Sequence, residues 1–381
     1  MTTSKPRIRV SALVIIMLMV LVVILAYAHV IRDMSTASIS TVNNSFHEAE
    51  QSKPSFHWKL VTAWPKHFPG LGSTPELFAQ WVNAMSDGRL TITVYGAGEV
   101  VPALGVFDAV SKGHIEMGHA GAYYWKGKAI AAPFFTTVPF GMTAQEMNAW
   151  LHYGGGLALW EELYKPFDLL PLACGNTGVQ MAGWFNKEIR TMDDIRGLKM
   201  RIPGLAGEIF TRAGGESVTI PGSELFGALK TGVIDATEWV GPYNDLIMGF
   251  HEVAKYYYYP GWHEPGSTIE LIVNRTAFAA LPEDLQMIVK IAARAANQAM
   301  LDEYTAKNNR AMQTLIHEHG VQVKRLPDDV LNELRALTEQ YLAAYVAGDP
   351  FAQKVYDSYQ AFYHGVKRYH GYSEKAYIEQ R

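Results

Sequence analysis

From Phe56 onward the chain alternates between two hydrophobic rhythms. Phe56–Ala63 (FHWKLVTA) carries apolar residues at every second position, as a strand does. Leu77, Phe78, Trp81, Val82 and Met85 then recur at helical spacing behind Thr74, Pro75 and Glu76, which offer a cap, a first-turn proline and a first-turn acid. The pattern predicts a further strand over Leu90–Tyr95, a helix over Val101–Lys112 and a short strand over Ile115–Ala120, together a three-layer α/β unit. A second block repeats the pattern without repeating the sequence. Its strands are expected at Val179–Phe185, Lys199–Ile202 and Ser217–Ile220, with helices at Leu205–Ala213 and Ser223–Thr231. Two α/β lobes are implied.

Beyond the second block the rhythm turns wholly helical. Leu281-Pro-Glu-Asp opens a helix whose small and apolar positions, Leu285, Ile288, Ala292, Ala295 and Ala299, continue toward Gly320. At about 1.5 Å per residue such a helix approaches ~55 Å, longer than one lobe needs, so it is expected to cross both. A second helix is predicted from Pro327 to Gly348. A third carries Phe351, Val355, Tyr359, Phe362 and Val366 on one face, a stripe that suits either the core or another subunit.

At the other end, Lys5, Arg7 and Arg9 precede an unbroken apolar run from Val10 to Ala28, and Ala26-Tyr27-Ala28 fits a small-x-small cleavage site. This reads as an export signal or as a membrane anchor of the same length. Either places the body of the protein outside the cytoplasm. Residues 32–54 are polar, rich in Ser, Thr and Asn, and read as a linker.

Composition narrows the functional classes. The 381 residues are 49% hydrophobic and 18% charged, ample for large cores, and the net charge of -4 comes without the basic stripe that tracks phosphates. Nucleic acid is excluded as a partner. Cys174 is the single cysteine, so no intramolecular disulfide forms, and its apolar surroundings (Leu169–Cys174) favour a buried structural thiol over a nucleophile. No nucleophile elbow, Walker A loop, G-x-G-x-x-G turn or H-E-x-x-H helix occurs. His317 and His319 flank Glu318, but adjacent helical positions diverge by about 100° and do not converge on one metal.

What remains are isolated polar residues in apolar or Gly/Pro-rich junctions. Gln180 lies in an otherwise apolar predicted strand, and Arg201 ends another just before a helix. The Arg201 guanidinium either pairs with an acid such as Glu208 or Glu216, or receives a small carboxylate in two parallel hydrogen bonds. Glu238 and Trp239 stand side by side ahead of Gly241-Pro242, the carboxylate being either a cleft group or a buried acid paired with a Lys or Arg.

Six stretches carry a resemblance to a known family: Thr62-Ala-Trp-Pro65, Tyr123-Tyr-Trp-Lys-Gly127, Asn176-Thr-Gly-Val-Gln180, Met192–Pro203 (MDDIRGLKMRIP), Gly232–Trp239 (GVIDATEW) and Tyr259–Pro265 (YPGWHEP). Over Ser55–Arg381 the chain resembles the periplasmic solute receptors of tripartite ATP-independent (TRAP) transporters, and within them the branch that binds 2-oxo acids such as pyruvate. The resemblance implies a two-lobe fold like the type II periplasmic binding proteins, with long connecting and C-terminal helices, and no enzymatic activity.

Together the residue pattern and the resemblance divide the chain. Residues 1–28 form the signal or anchor, 29–54 the linker, 55–174 the first lobe with segments returning from the C-terminal part, and 175–280 the second. Residues 281–348 hold the crossing helix and its successor, and 349–381 a helical dimerisation segment.

For the site, the resemblance implies that Gln180, Glu238 and the Trp239 backbone carbonyl, with Glu264 as a further ligand, hold a cation bound together with the acid. An all-oxygen set suits Na⁺ or Ca²⁺ and not zinc. Gln180, Arg201, Trp239, Trp64, Tyr123, Tyr124 and Asn244 are implied to face the organic acid, and Trp64, Tyr123 and Phe226 to set pocket depth. The implied partners are the transporter's membrane subunits and a second copy joined through the C-terminal helices. A metal-dependent hydrolase or lyase using Glu238 or Glu264, and an anchored sensory domain, are the competing classes.

Overall fold

The computed structural model describes residues 10–48 and 54–381. These fall into two units, an N-terminal segment and a body beginning at Phe56.

The N-terminal unit is one helix, Val10–Glu48. Its Ile15–Met34 portion is long and apolar enough to cross a membrane, by length and composition, and is exposed throughout. The helix does not end near Ala28 but continues through most of the stretch expected as an irregular linker. No proline or glycine occurs between Val10 and Lys53 to break it. Residues 49–53 of that stretch lie outside the described residues.

In the body, eleven strands make two sheets among the described residues. They are β1 (Phe56–Thr62), β2 (Leu90–Tyr95), β3 (Met117–Ala120), β4 (Leu169–Asn176), β5 (Gly183–Phe185), β6 (Lys199–Arg201), β7 (Glu216–Val218), β8 (Ala236–Thr237), β9 (Tyr256–Tyr259), β10 (Thr268–Asn274) and β11 (Gln322–Arg325). The first sheet runs β2-β1-β3-β10-β4, the second β11-β9-β5-β8-β6-β7. β1 pairs parallel with β2 and β3, the geometry that helical crossovers such as Ser73–Met85 produce. β4 (LLPLACGN) and β10 (TIELIVN) are buried at every position, which explains their near-continuous apolar runs.

Three expectations change. β10 lies within 175–280 but returns to the first sheet, antiparallel to both β3 and β4, while β11 from the C-terminal part completes the second. The lobes therefore exchange more chain than a single boundary allows. The strand expected over Val179–Phe185 is only Gly183–Phe185. Gly178 turns the chain at φ +68°, and Gln180 N–H and Met181 N–H donate to Glu264 and Val240 carbonyls at 3.1 Å each, so this stretch passes between sheets and not along one. The long helix, Glu283–His317, buries Leu285, Val289, Ala292, Ala293 and Ala296, and Ala295 faces solvent. Its 35 residues span about 52 Å. It packs on β4 and the Ser73–Met85 helix of the first lobe and on the Pro242–Ile247 helix of the second.

The C-terminal aromatic stripe divides. On the Pro350–Tyr372 helix, Val355 and Tyr359 are core: Tyr359 meets Trp150 edge-on at 5.2 Å, and its hydroxyl accepts from Met142 N–H at 2.9 Å. Phe351, Phe362 and Val366 are half-buried. Farther along, Tyr369 and Tyr372 are exposed.

Candidate functional site

Three connecting segments, two of which cross between the sheets, converge on one buried cluster. The β4–β5 passage brings Gln180, the end of β8 brings Glu238 and Trp239, and the β9–β10 passage brings His263 and Glu264; β6 adds Arg201. All are buried. Close backbone approach makes this possible: a Cβ on Gly261 would lie 2.1 Å from the Gln180 carbonyl oxygen, and one on Gly222 would lie 2.2 Å from the Trp239 ring.

The acids are only partly satisfied. Arg201 Nη1 donates to Glu238 Oε1 in a short ion pair and, at 3.3 Å, to the Glu238 carbonyl. The partner of Arg201 is therefore neither Glu208 nor Glu216, which pair with Lys126 and Lys199. Gln180 Nε2 donates to Glu264 Oε2 at 2.8 Å, and Ser267 Oγ donates to the same oxygen. Gln180 Oε1 and Glu238 Oε2 are buried and make no hydrogen bond, and both ring nitrogens of His263 are likewise unpartnered. The nearest approach is His263 Nε2 to Glu238 Oε2 at 3.4 Å.

Buried oxygens without donors are costly, and they are what a hard cation would satisfy. Glu238, His263 and Glu264 each place one ligand-capable atom within 4.8 Å of the others. Gln180 Oε1 and Glu238 Oε2 are buried oxygens of the kind a hard cation takes, so the residues present fit a cation. Burial, and then the neighbouring Glu238 charge, push the Glu264 carboxyl up to about 7. Burial works against the Arg201 charge, but Glu238 and the flanking tyrosines outweigh it and hold the guanidinium above its ordinary value.

Aromatic rings wall the cluster. Trp239 packs edge-on against Trp64 (6.1 Å) and Phe68 (6.2 Å), and its ring lies 5.1 Å from the Arg201 guanidinium. Tyr124 adjoins Trp64 at 6.1 Å and Tyr123 at 4.7 Å, and its hydroxyl accepts from Arg201 Nη2 at 3.4 Å. Trp64 Nε1 donates to His119 Nδ1 at 3.1 Å, and burial depresses the His119 ring to about 4, which keeps it a neutral acceptor.

Two expected residues sit elsewhere. Asn244 has both ends of its amide engaged, donating to the Pro69 carbonyl at 2.9 Å and accepting from Tyr304 at 2.6 Å, because the Pro242–Ile247 helix turns it toward the long helix. Phe226 lies beneath Lys230 and beside Gly249, half-buried at the edge of the core. Sequence reasoning missed His263 and Ser267. His263 stood in the quoted YPGWHEP string, but nothing local to that string indicates that its ring turns toward Glu238.

Residues 60–349 match the family described as bacterial extracellular solute-binding protein, family 7 (DctP). The chain belongs to that family. It is 39% identical over 343 residues, covering 90% of this chain and 94% of the relative, to a monocarboxylate 2-oxoacid-binding periplasmic protein of Nostoc. Among solved structures, a TRAP periplasmic solute-binding protein from Pseudoalteromonas atlantica with bound sodium and pyruvate shares 43% identity at TM-score 0.84, covering 86% of this chain and 99% of that one. Another from Colwellia psychrerythraea, with bound calcium and pyruvate, shares 40% identity at TM-score 0.84, covering 86% and 100%. The two-sheet α/β architecture of this family 7 protein is that of the TRAP receptors, an extracytoplasmic and not an enzyme family.

Proposed function

We propose that this protein is the extracytoplasmic receptor of a TRAP transporter, capturing a small 2-oxo monocarboxylate such as pyruvate together with Na⁺ or Ca²⁺. The observation that carries the reading is the pair of donorless buried oxygens, Gln180 Oε1 and Glu238 Oε2, beside Arg201. When bound, the cation would supply positive charge between acids that otherwise repel. Gln180, Glu238, Glu264 and the Trp239 carbonyl would hold it. Arg201 offers its guanidinium to the ligand carboxylate, and Trp64, Tyr123, Tyr124 and Trp239 exclude water and bound the ligand's size. The relatives that bind pyruvate with sodium or calcium support this reading.

The Ile15–Met34 span would direct export. Cleavage after Ala28 would cut inside that span, so N-terminal sequencing of the native protein separates a mature start at His29 from a retained anchor. Delivery would be to the membrane subunits of the transporter. Exposed Tyr369, Tyr372 and Tyr377 support a homodimer through the C-terminal helices, and a monomer by sedimentation at micromolar concentration would exclude it.

The test is calorimetry and thermal shift with pyruvate, lactate and longer 2-oxo acids, in chelator-treated potassium buffer and with added Na⁺ or Ca²⁺. Pyruvate at 100 times its dissociation constant should add about 2.7 kcal/mol of stability. Equal binding with and without either cation would refute capture of the acid with a metal. No binding of any 2-oxo or 2-hydroxy acid would refute the receptor reading.

A further inference from the structure

Gly241 and the helix Pro242–Ile247 follow directly on Glu238 and Trp239, so whatever fixes that helix also fixes the turn carrying them. Its anchor comes from the long helix and from the first lobe. Asn244, fully buried, donates Nδ2 to the Pro69 carbonyl at 2.9 Å and accepts at Oδ1 from the Tyr304 hydroxyl at 2.6 Å; that hydroxyl also lies 3.4 Å from the Pro69 carbonyl oxygen. One turn farther along the long helix, Asn308 Oδ1 accepts from Tyr243 N–H at 2.9 Å. Packing tightens the same junction, because a Cβ on Gly70 would lie 2.4 Å from the Tyr304 ring. Beside Pro69, Phe68 meets Trp239 edge-on. The first-lobe loop thus touches the second lobe twice, once at the aromatic wall and once at the Asn244 amide.

Building on the receptor reading, we propose that Tyr304 is a positioning residue for ligand capture. Through Asn244 its hydroxyl clasps the Pro69 loop of the first lobe to the helix behind Glu238 and Trp239, and so favours the closed cleft without touching the ligand. A contact that ties the two lobes together raises apparent affinity by shifting population toward the binding-competent state, and it acts on the dissociation rate more than on the association rate.

Tyr304→Phe keeps the ring against Gly70 and removes only the hydroxyl. In the exported protein, with pyruvate and the cation that supports its binding, it should raise the dissociation constant about fivefold, the scale of one buried hydrogen bond. The change should appear in the off-rate by stopped flow. Asn244→Ala should weaken binding comparably, and the double variant should be no worse than Asn244→Ala alone, since both act through one clasp. Additive losses would instead make Asn244 a direct ligand contact and overturn the clasp. Unchanged affinity and off-rate in Tyr304→Phe, while wild type binds, would also overturn it. Hydrogen exchange without ligand separates this from failure of the receptor reading: Tyr304→Phe should exchange faster over both 66–72 and 239–247, and equal exchange overturns the clasp whatever the protein binds.

Discussion

Two buried acid clusters in this protein are built in opposite ways. Glu270, on β10 in the core of the first lobe, has both carboxyl oxygens occupied by neutral donors: Trp125 Nε1 donates to one and the Tyr164 hydroxyl to the other, at 2.9 Å. Burial pushes its carboxyl up to about 8, with those two donors pulling only partly the other way. Glu238 and Glu264 are as deeply buried, yet they face a guanidinium, an imidazole and each other, and leave oxygens without donors. A saturated neutral cluster needs nothing from outside and stiffens the fold. An unsaturated charged cluster holds a place for something the chain does not supply.

The largest expected break in this comparison is at Arg201. Arg201→Ala should weaken pyruvate binding by at least about 3 kcal/mol, because a ligand carboxylate and Glu238 would then be buried without their shared guanidinium. Arg201→Lys should recover only part of the loss, since one ammonium cannot reproduce the planar fork. Calorimetry with unchanged affinity in Arg201→Ala would make the Arg201–Glu238 pair as structural as the Glu270 cluster.

A smaller but more specific effect is expected at Glu238. Glu238→Gln keeps the shape and removes one charge, so cation and acid affinities should fall together, by about 10- to 100-fold, each binding partly through the other. Transfer of wild type to cation-free buffer should mimic the substitution. A fall in cation affinity with acid affinity intact would uncouple the two ligands.

That one cluster was foreseeable from sequence and the other was not has a physical basis. Alternation and helical spacing report which face of an element is buried, so β1, β2, β6 and the helix after Arg201 stood out from local pattern. Pattern does not report which sheet a strand joins. β10 and β4 read alike as apolar runs, and only the fold reveals that β10 turns back to the first sheet, carrying Glu270 to Trp125 and Tyr164 across more than a hundred positions of chain. Gln180, Glu238 and Glu264 were reached through family resemblance, since each lies just outside a strand, where the alternation of buried and exposed positions gives no signal. The same blindness misdirected Asn244, which follows Glu238 and Trp239 closely in sequence while its own amide faces Tyr304.

The smallest effect on binding, and the one that sharpens the comparison most, is expected at Glu270. Glu270→Gln should leave ligand and cation affinity unchanged, because neither oxygen faces the cleft cluster. Its effect should be on stability against pH. Burial pushes the folded carboxyl from its ordinary 4.5 up to about 8, so the folded state holds a proton that the unfolded state has lost across that interval. The stabilisation is fully present below about 4.5 and is lost as pH rises through about 8. At about 1.4 kcal/mol per pKa unit it amounts to a few kcal/mol. Asp245, raised to about 7 by burial, and Glu264 slope the wild-type curve in the same direction, so the informative quantity is the difference between variant and wild type. Chemical denaturation from pH 5 to 9 should show Glu270→Gln gaining on wild type as pH rises, with the gain levelling off above about 8. A flat difference across that range would mean that Glu270 is ionised in the folded protein at neutral pH. The contrast between a saturated neutral cluster and an unsaturated charged one would then fail on the side that looked simpler.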